Sequence, residues 1–198
     1  MKNSNSVSMP AKQAKSSWTI RQLIYCALFS ALTATGAFFK IPMPYFDYVT
    51  LQTLAVLLAG MLLGSRAGAL SQIAYVLLGL VGVPVFAGGG GFGYVLKPTF
   101  GYLIGFCLAA WLIGKLLEKR PRLERKFIHY YLAGLAGLGA LYSLGILYRW
   151  FITNFVMEVP LPFWTLVLSC LTLEIPKDIL ICALAAWLAG RLHQVVKA

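Results

Sequence analysis

The chain has 198 residues, of which 60% are hydrophobic and 12% charged, and its mean hydropathy is +0.78. Soluble domains contain roughly 45–50% apolar and about 25% charged residues. The composition therefore excludes an ordinary soluble enzyme or binding domain and indicates an integral membrane protein of the cell membrane. The formal net charge of +11 raises the separate question of whether the chain binds nucleic acid.

The basic residues lie at the ends of apolar runs and not on one face. Of the seventeen Lys and Arg residues, four precede the first apolar run and six lie between Lys115 and Lys126, while Arg66, Arg191 and Lys197 flank other runs. An excess of Lys and Arg beside membrane segments marks their cytoplasmic ends. We therefore assign the basicity to membrane topology and predict no nucleic-acid partner.

The N-terminal residues 1–17 are polar and basic and lack a signal-peptide cleavage pattern, so they are predicted to be a disordered tail. Residues 18–198 are predicted to form one membrane domain, beginning with a span over Trp18–Phe39. That span carries Ala27 and Ala31 four residues apart, which permits close helix packing. The spacing fits packing within this chain and docking to another subunit equally well.

Six helices are predicted, with both termini cytoplasmic and the protein crossing the membrane several times. After the first span comes a Pro-punctuated turn at 40–49, and loops 40–49, 84–97 and 156–162 are placed outside. The later spans are Leu51–Leu63, Ala67–Val83, Pro98–Leu117, Phe127–Phe155 and Phe163–Leu192.

The loop 84–97 contains four consecutive glycines, Gly88 to Gly91. Exposed backbone at membrane depth is tolerated where it is buried in protein or lines a cavity, and a plain linker would be more polar. We therefore interpret this loop as the wall or lid of a ligand site. Its predicted contributors are Phe86, Gly89, Gly90, Phe92, Tyr94 and Lys97, the last a cation where the loop meets a helix N-terminus.

Three charged residues, Glu174, Lys177 and Asp178, interrupt the sixth apolar run. Each charge at the centre of a membrane helix costs about 2.5–3.5 kcal/mol on insertion scales, so the three are predicted to face the interior or a wet cavity. The alternative is a self-neutralising cluster that only joins helices. Arg149 lies between Tyr148 and Trp150 and is predicted to extend to the membrane interface.

No enzyme, metal or cofactor motif is evident. The four cysteines lie singly in apolar runs, His129 and His193 are unpaired, and no P-loop follows the glycines. If transport uses ATP, another subunit must hydrolyse it. A small membrane enzyme that uses Glu174 and Asp178 as an acid–base pair remains an alternative, although no second catalytic group accompanies them.

The run GLVGVPVFAGGGGFGYVLKPTFGYLIGF (Gly79–Phe106), preceded by GSRAGALSQIAYVLLG (Gly64–Gly79), resembles the BioY family. This family comprises the biotin-specific S components of energy-coupling factor (ECF) transporters. The resemblance extends from the small residues of the first helix to the charged residues of the sixth. It implies an ECF S-component fold, biotin capture from outside, and docking to a transmembrane T component with ABC-type ATPases.

The resemblance also implies residue roles. The first-helix face with Ala27 and Ala31 would contact the T component, and Asp178 would accept a ureido N–H of biotin. In the family a Lys usually follows this Asp after three residues, whereas Ile181 stands there in this chain. Lys177 or Lys97 is the alternative partner for the biotin carboxylate. Operation of the chain alone, as an oligomer, is the alternative to an ECF complex.

Overall fold

The computed structural model describes residues 18–43, 46–119, 121 and 124–192. The predicted tail 1–17 lies outside the described residues. Described helices, in chain order, are α1 (Ile20–Phe38), α2 (Gln52–Leu63), α3 (Ser65–Leu80), a 3₁₀ helix (Phe92–Leu96), α4 (Phe100–Glu118), α5 (Phe127–Phe151), α6 (Phe163–Ser169) and α7 (Ile175–Leu192).

These helices form six helical segments at the positions that the sequence predicts, with two irregularities. Helix α5 ends in a π-helical turn at Ile152–Val156, and a second π-helical turn at Cys170–Glu174 joins α6 to α7. Single π turns are rare and occur mostly inside α-helices at functional sites. The predicted sixth span is therefore two helices that meet at the charged residues.

The segment predicted as a turn at 40–49 forms a β-hairpin. Strands β1 (Lys40–Met43) and β2 (Phe46–Thr50) pair antiparallel, with Lys40 opposite Thr50 and Ile41 opposite Val49. Proline is tolerated in a strand that lies at the edge of a sheet, and in a two-stranded hairpin each strand has a free edge. Pro42, which lies in β1, is therefore compatible with strand pairing.

Helix α4 lies at the centre of the bundle, against α2, α3 and α5. Its longest contact is with α5, where glycines on both helices bring the backbones together. A Cβ on Gly105 of α4 would lie 3.0 Å from the carbonyl oxygen of Leu141 on α5. This close packing agrees with the small-residue spacing on the two predicted spans.

The close approach between α4 and the α2–α3 turn gives a stability prediction. A Cβ on Gly114 would collide with the backbone of Gly64 and Ser65, which cannot rotate away as a side chain can. Gly114→Ala should therefore lower the free energy of unfolding by about 1–3 kcal/mol. The measurement is the thermal unfolding midpoint of the protein in detergent.

The matched control is Gly139→Ala, because Gly139 is an exposed α5 glycine whose added Cβ would meet nothing within 4 Å. Alanine favours a helix over glycine by up to about 1 kcal/mol, so this variant should be at least as stable as the parent protein. Equal midpoints for the two variants would show that α4 does not approach the turn this closely.

Two helical segments in the described chain are long and apolar enough to cross a membrane by length and composition, Phe100–Glu118 and Phe127–Val156. Helix α2 and the segment Phe163–Thr172 are apolar but shorter. The outer surface of the bundle is itself apolar. Large side chains exposed there include Leu77, Leu78, Trp111, Leu132, Leu147, Leu180, Leu184 and Trp187.

Candidate ligand cavity

A cavity lies where the hairpin and the glycine loop meet α2, α4, α5 and α7. The empty space, including its solvent-open part, is about 700 Å³. Its lining residues are Thr50, Gln52, Thr53, Ala87, Tyr94, Thr99, Tyr102, Leu103, Phe106, Leu141, Tyr142, Arg149, Glu174, Lys177 and Asp178.

Asp178 is the most enclosed charge in this cavity, with 2% of its surface exposed. Its Oδ2 accepts hydrogen bonds from the Tyr142 hydroxyl at 2.7 Å and from the Thr53 hydroxyl at 3.2 Å. Its Oδ1 lies 2.9 Å from the Lys177 ammonium but accepts no hydrogen bond from any described residue. The ammonium balances the charge of Oδ1, and a carboxylate oxygen can accept more than one hydrogen bond, so Oδ1 can also accept a ligand N–H.

Lys177 reaches the same cavity although it precedes Asp178 in the chain. Its ammonium lies beside the Asp178 carboxylate and donates a 3.3 Å hydrogen bond to the carbonyl of Thr50 at the end of β2. Both residues lie in the first turn of α7, directly after the π-helical turn. The bond to Thr50 also ties the hairpin to α7.

Arg149 is buried, with 9% of its surface exposed, and it lines the cavity. The prediction that it extends to the membrane interface is therefore wrong. The flanking Tyr148 and Trp150 are typical of an interface, but on a helix they point away from the direction of Arg149, and the Tyr148 hydroxyl bonds to the carbonyl of Val95 in the loop. Arg149 adds a second cation to the site.

The charge count in the sequence was the signal that could have located Arg149. Glu174 and Asp178 carry two negative charges and Lys177 only one positive charge, so a buried cluster of these three would lack one cation. In the structure, Glu174 lines the cavity with Arg149 and their charges interact. The cavity lining thus contains two cations and two carboxylates.

Several polar cavity residues were not predicted from the sequence. Tyr102 and Tyr142 meet edge to face, with ring centroids 6.0 Å apart, and Thr99 donates to the Tyr94 hydroxyl at 3.3 Å. Gln52 donates to the buried Tyr75 hydroxyl. For Gln52 and Thr53 the available signal was a group of polar residues, beginning at Thr50, directly before the apolar residues of α2.

The glycine loop contributes to the cavity through Ala87 and Tyr94. Phe86 is buried behind them, 5.5 Å from the ring of Tyr75 and 4.6 Å from the ring of Tyr94 by centroid distance, and is not a lining residue. Phe86 and Gly89 exchange backbone hydrogen bonds of 2.9 and 3.0 Å, which closes a tight turn. The loop is therefore anchored by an aromatic cluster.

The other predicted loop residues lie outside the cavity lining. Gly89 has φ of +111°, a conformation that suits glycine, and a Cβ on Gly90 would collide with the carbonyl of Val83. Phe92 is 78% exposed. The structure brings Tyr94, Glu174, Lys177 and Asp178 together and leaves Phe86, Gly89, Gly90, Phe92 and Lys97 outside the lining.

Two lysines hold successive carbonyls of the loop. Lys97 donates to the carbonyl of Gly88 at 3.1 Å and lies 4.9 Å from the centroid of the Tyr94 ring. Lys40, at the start of β1, donates to the carbonyl of Ala87 at 2.8 Å. In this conformation Lys97 is hydrogen-bonded to the loop backbone and does not line the cavity.

On α1, the two alanines at four-residue spacing point outward. Ala27 and Ala31 are exposed, whereas Cys26, Phe29 and Thr33 face the bundle and are buried. The small-residue face of α1 is therefore exposed in the described chain.

Comparisons with known proteins agree with this architecture. A sequence profile of the BioY family matches residues 9–198. The chain is 42% identical over 175 residues to the probable biotin transporter BioY of Lysinibacillus sphaericus, with 88% of each chain covered. It is 43% identical over 140 residues to the biotin transporter BioY of Thermotoga maritima, covering 70% of this chain and 78% of that one.

The fold has a solved counterpart. The structure superposes with a TM-score of 0.79 on a 2.1 Å crystal structure of the S-component for biotin from an ECF-type ABC transporter. The two chains are 27% identical, and the match covers 90% of this chain and 95% of the other. With the profile match over nearly its whole length and two relatives above 40% identity, this chain is a member of the BioY family.

Proposed function

We propose that this protein is the biotin-binding S component of an ECF transporter, which captures biotin from outside and mediates its uptake with an energising module. Its family and the names of its relatives support biotin as the ligand. The fold shared with a biotin S-component supports the ECF role.

The single observation that carries the proposal is the buried Asp178 carboxylate, whose Oδ1 is paired with Lys177 and accepts no hydrogen bond from the described residues. Biotin has a ureido ring with two N–H donors, an apolar sulfur ring and an anionic carboxylate at the end of an apolar chain. Asp178 Oδ1 is buried in the cavity and accepts no hydrogen bond from the described residues. It would accept a ureido N–H, while Leu103, Phe106 and Leu141 provide apolar wall.

Arg149 is the cation best placed for the ligand carboxylate. The Tyr142 hydroxyl donates to Asp178. Arg149 lies seven residues after Tyr142 on α5, which is about 10 Å along the helix axis. A ligand with its ureido ring at Asp178 would thus extend its chain along α5 toward Arg149.

The membrane topology is also part of the proposal. Six apolar segments would cross the bilayer, with both termini in the cytoplasm and the hairpin and glycine loop outside. The apolar outer surface of the bundle supports this arrangement, since side chains such as Leu132, Leu180 and Trp187 are exposed in the isolated chain. The cavity would then open toward the outer face.

The decisive experiment is a biotin isotherm by calorimetry on the purified protein in detergent. We expect saturable binding with one site and a dissociation constant in the nanomolar to micromolar range, with weaker competition by desthiobiotin, which lacks the sulfur ring. A folded protein, shown by its unfolding transition, that fails to bind biotin would refute the assignment. Uptake into liposomes that contain this chain alone would refute dependence on a T component and ATPases.

The α1 face gives a prediction about the partner. Ala31→Trp places a large side chain on the exposed small-residue face without entering the bundle, so biotin binding should remain within about twofold. Co-purification with a T component and ATPases should fall at least about tenfold, because close helix contact requires small residues. Leu184→Trp, on the exposed side of α7, is the control; equal losses for both variants would contradict a docking role for α1.

A further inference from the structure

A second cavity lies at the opposite end of the bundle from the ligand cavity. It is lined by Trp18, Gln22, Leu63, Ser65, Arg66, Ala67, Lys115 and Glu118. These residues belong to the start of α1, the α2–α3 turn and the end of α4. The ligand cavity instead uses the start of α2 and the start of α4, so the two cavities are separated by the length of these helices.

The cleft follows from how the helices pack. Helices α1 and α4 both lie against α2 and α3 and make little contact with each other. The space between their ends, above the α2–α3 turn, is therefore left open, and it amounts to about 820 Å³ including its solvent-open part.

The charges in this cleft favour an anion. Arg66 and Lys115 are exposed, and within the described residues neither makes an ion pair or a hydrogen bond. Glu118 is the one carboxylate among the lining residues, and its Oε1 is already engaged by the backbone N–H of Ser65 at 2.8 Å and the Ser65 hydroxyl at 2.7 Å. The carboxylate thus satisfies the first turn of α3, and its charge also interacts with Lys115. The lining residues therefore carry one net positive charge, with Arg66 and Lys115 exposed.

The surroundings indicate which kind of anion. Trp18 is 44% exposed at the rim, as is typical of a side chain at the lipid headgroup level. Ile20 and Ile24, on the next turns of α1, are exposed and apolar, and would face acyl chains. Basic pockets between membrane helices on the cytoplasmic side bind anionic headgroups.

We propose that this cleft binds the phosphate of an anionic phospholipid headgroup, with Arg66 and Lys115 as its cations and Trp18 at its rim. The inference rests on the membrane topology of the proposed function, but it does not depend on biotin. A headgroup phosphate and free inorganic phosphate present the same kind of anionic oxygens to the two cations. The experiment must therefore distinguish a lipid from a soluble anion.

The test is native mass spectrometry of the full-length protein released from detergent, titrated with short-chain phosphatidylglycerol or phosphatidylcholine. The double variant Arg66→Gln/Lys115→Gln is compared with Lys126→Gln/Arg191→Gln, which removes two charges outside the cleft. Each cation near a headgroup contributes roughly a factor of five, so phosphatidylglycerol affinity should fall about 25-fold in the first variant and less than threefold in the second. An unfolding transition equal to that of the parent protein shows that each variant is folded.

Three results would overturn the proposal. One is equal phosphatidylglycerol binding by the parent protein and the cleft variant, and another is an equal loss in the control variant. The third is a parent protein that binds inorganic phosphate, by calorimetry, but does not distinguish phosphatidylglycerol from phosphatidylcholine, which would place a soluble anion in the cleft. None of these results bears on biotin binding at the other end of the bundle.

Discussion

Replacing Asp178 by asparagine is expected to lower biotin affinity about 100-fold. Asparagine keeps the shape of the side chain but removes the charge, so the acceptor for a ureido N–H weakens and the Lys177 ammonium loses its ion-pair partner. Hydrogen bonds to charged groups contribute about 1.5–3 kcal/mol, and a polar group left without a partner adds its desolvation cost. The measurement is the calorimetric dissociation constant in detergent.

Two further variants separate the possible causes of that loss. Tyr142→Phe removes the 2.7 Å donor to Oδ2 and leaves the charge, so a smaller loss of about 5–10-fold is expected for one hydrogen bond of this kind. Glu158→Gln removes a carboxylate from the exposed loop after α5 and should change affinity less than twofold. An Asp178→Asn protein that binds biotin as tightly as the parent would remove Asp178 from the site.

Replacing Arg149 by glutamine is expected to weaken biotin binding about 30-fold and to leave the binding of biotin amide almost unchanged. The amide has no charge at the end of its chain, so it cannot use the Arg149 guanidinium as an ion-pair partner. A charge-assisted contact in a partly buried site contributes about 2 kcal/mol. Both ligands are measured by calorimetry on the same preparations.

The ratio between the two ligands distinguishes the candidate cations. If Lys177 holds the carboxylate, Lys177→Gln will lose selectivity for biotin over its amide and Arg149→Gln will keep it. Lys97→Gln should keep the selectivity, because Lys97 lies on the loop backbone. Glu174→Gln should raise biotin affinity a few fold, since Glu174 competes with the ligand carboxylate for Arg149.

The cost of burying charge made the largest part of the site predictable. Glu174, Lys177 and Asp178 stand in an apolar run, and the structure places all three on one cavity. The burial of Arg149 was not predicted, because its aromatic neighbours Tyr148 and Trp150 are typical of a membrane interface. The charge balance of the buried residues, which requires a second cation, is the stronger signal. A polar side chain in an apolar region is best interpreted together with every other charge that shares the membrane.

Backbone irregularities were less predictable than helices. Apolar runs located the six helical segments within a few residues, because burial of a long apolar face has a strong sequence signature. The π-helical turn at Cys170–Glu174 has no such signature, yet it precedes the turn that brings Lys177 beside Asp178. The position of the Lys177 ammonium relative to the Asp178 carboxylate therefore could not be predicted from residue spacing on one regular helix.

The lysines on the carbonyls of Ala87 and Gly88 have a kinetic consequence. Ala87 lines the cavity, so widening the mouth at this point must break the Lys40 bond, and swinging the loop farther must also break the Lys97 bond. Both hydrogen bonds therefore oppose the loop movement that would accompany dissociation of the ligand. If the loop must move for release, removing either ammonium should shorten the half-life of the biotin complex, which measures how strongly the two lysines hold the loop.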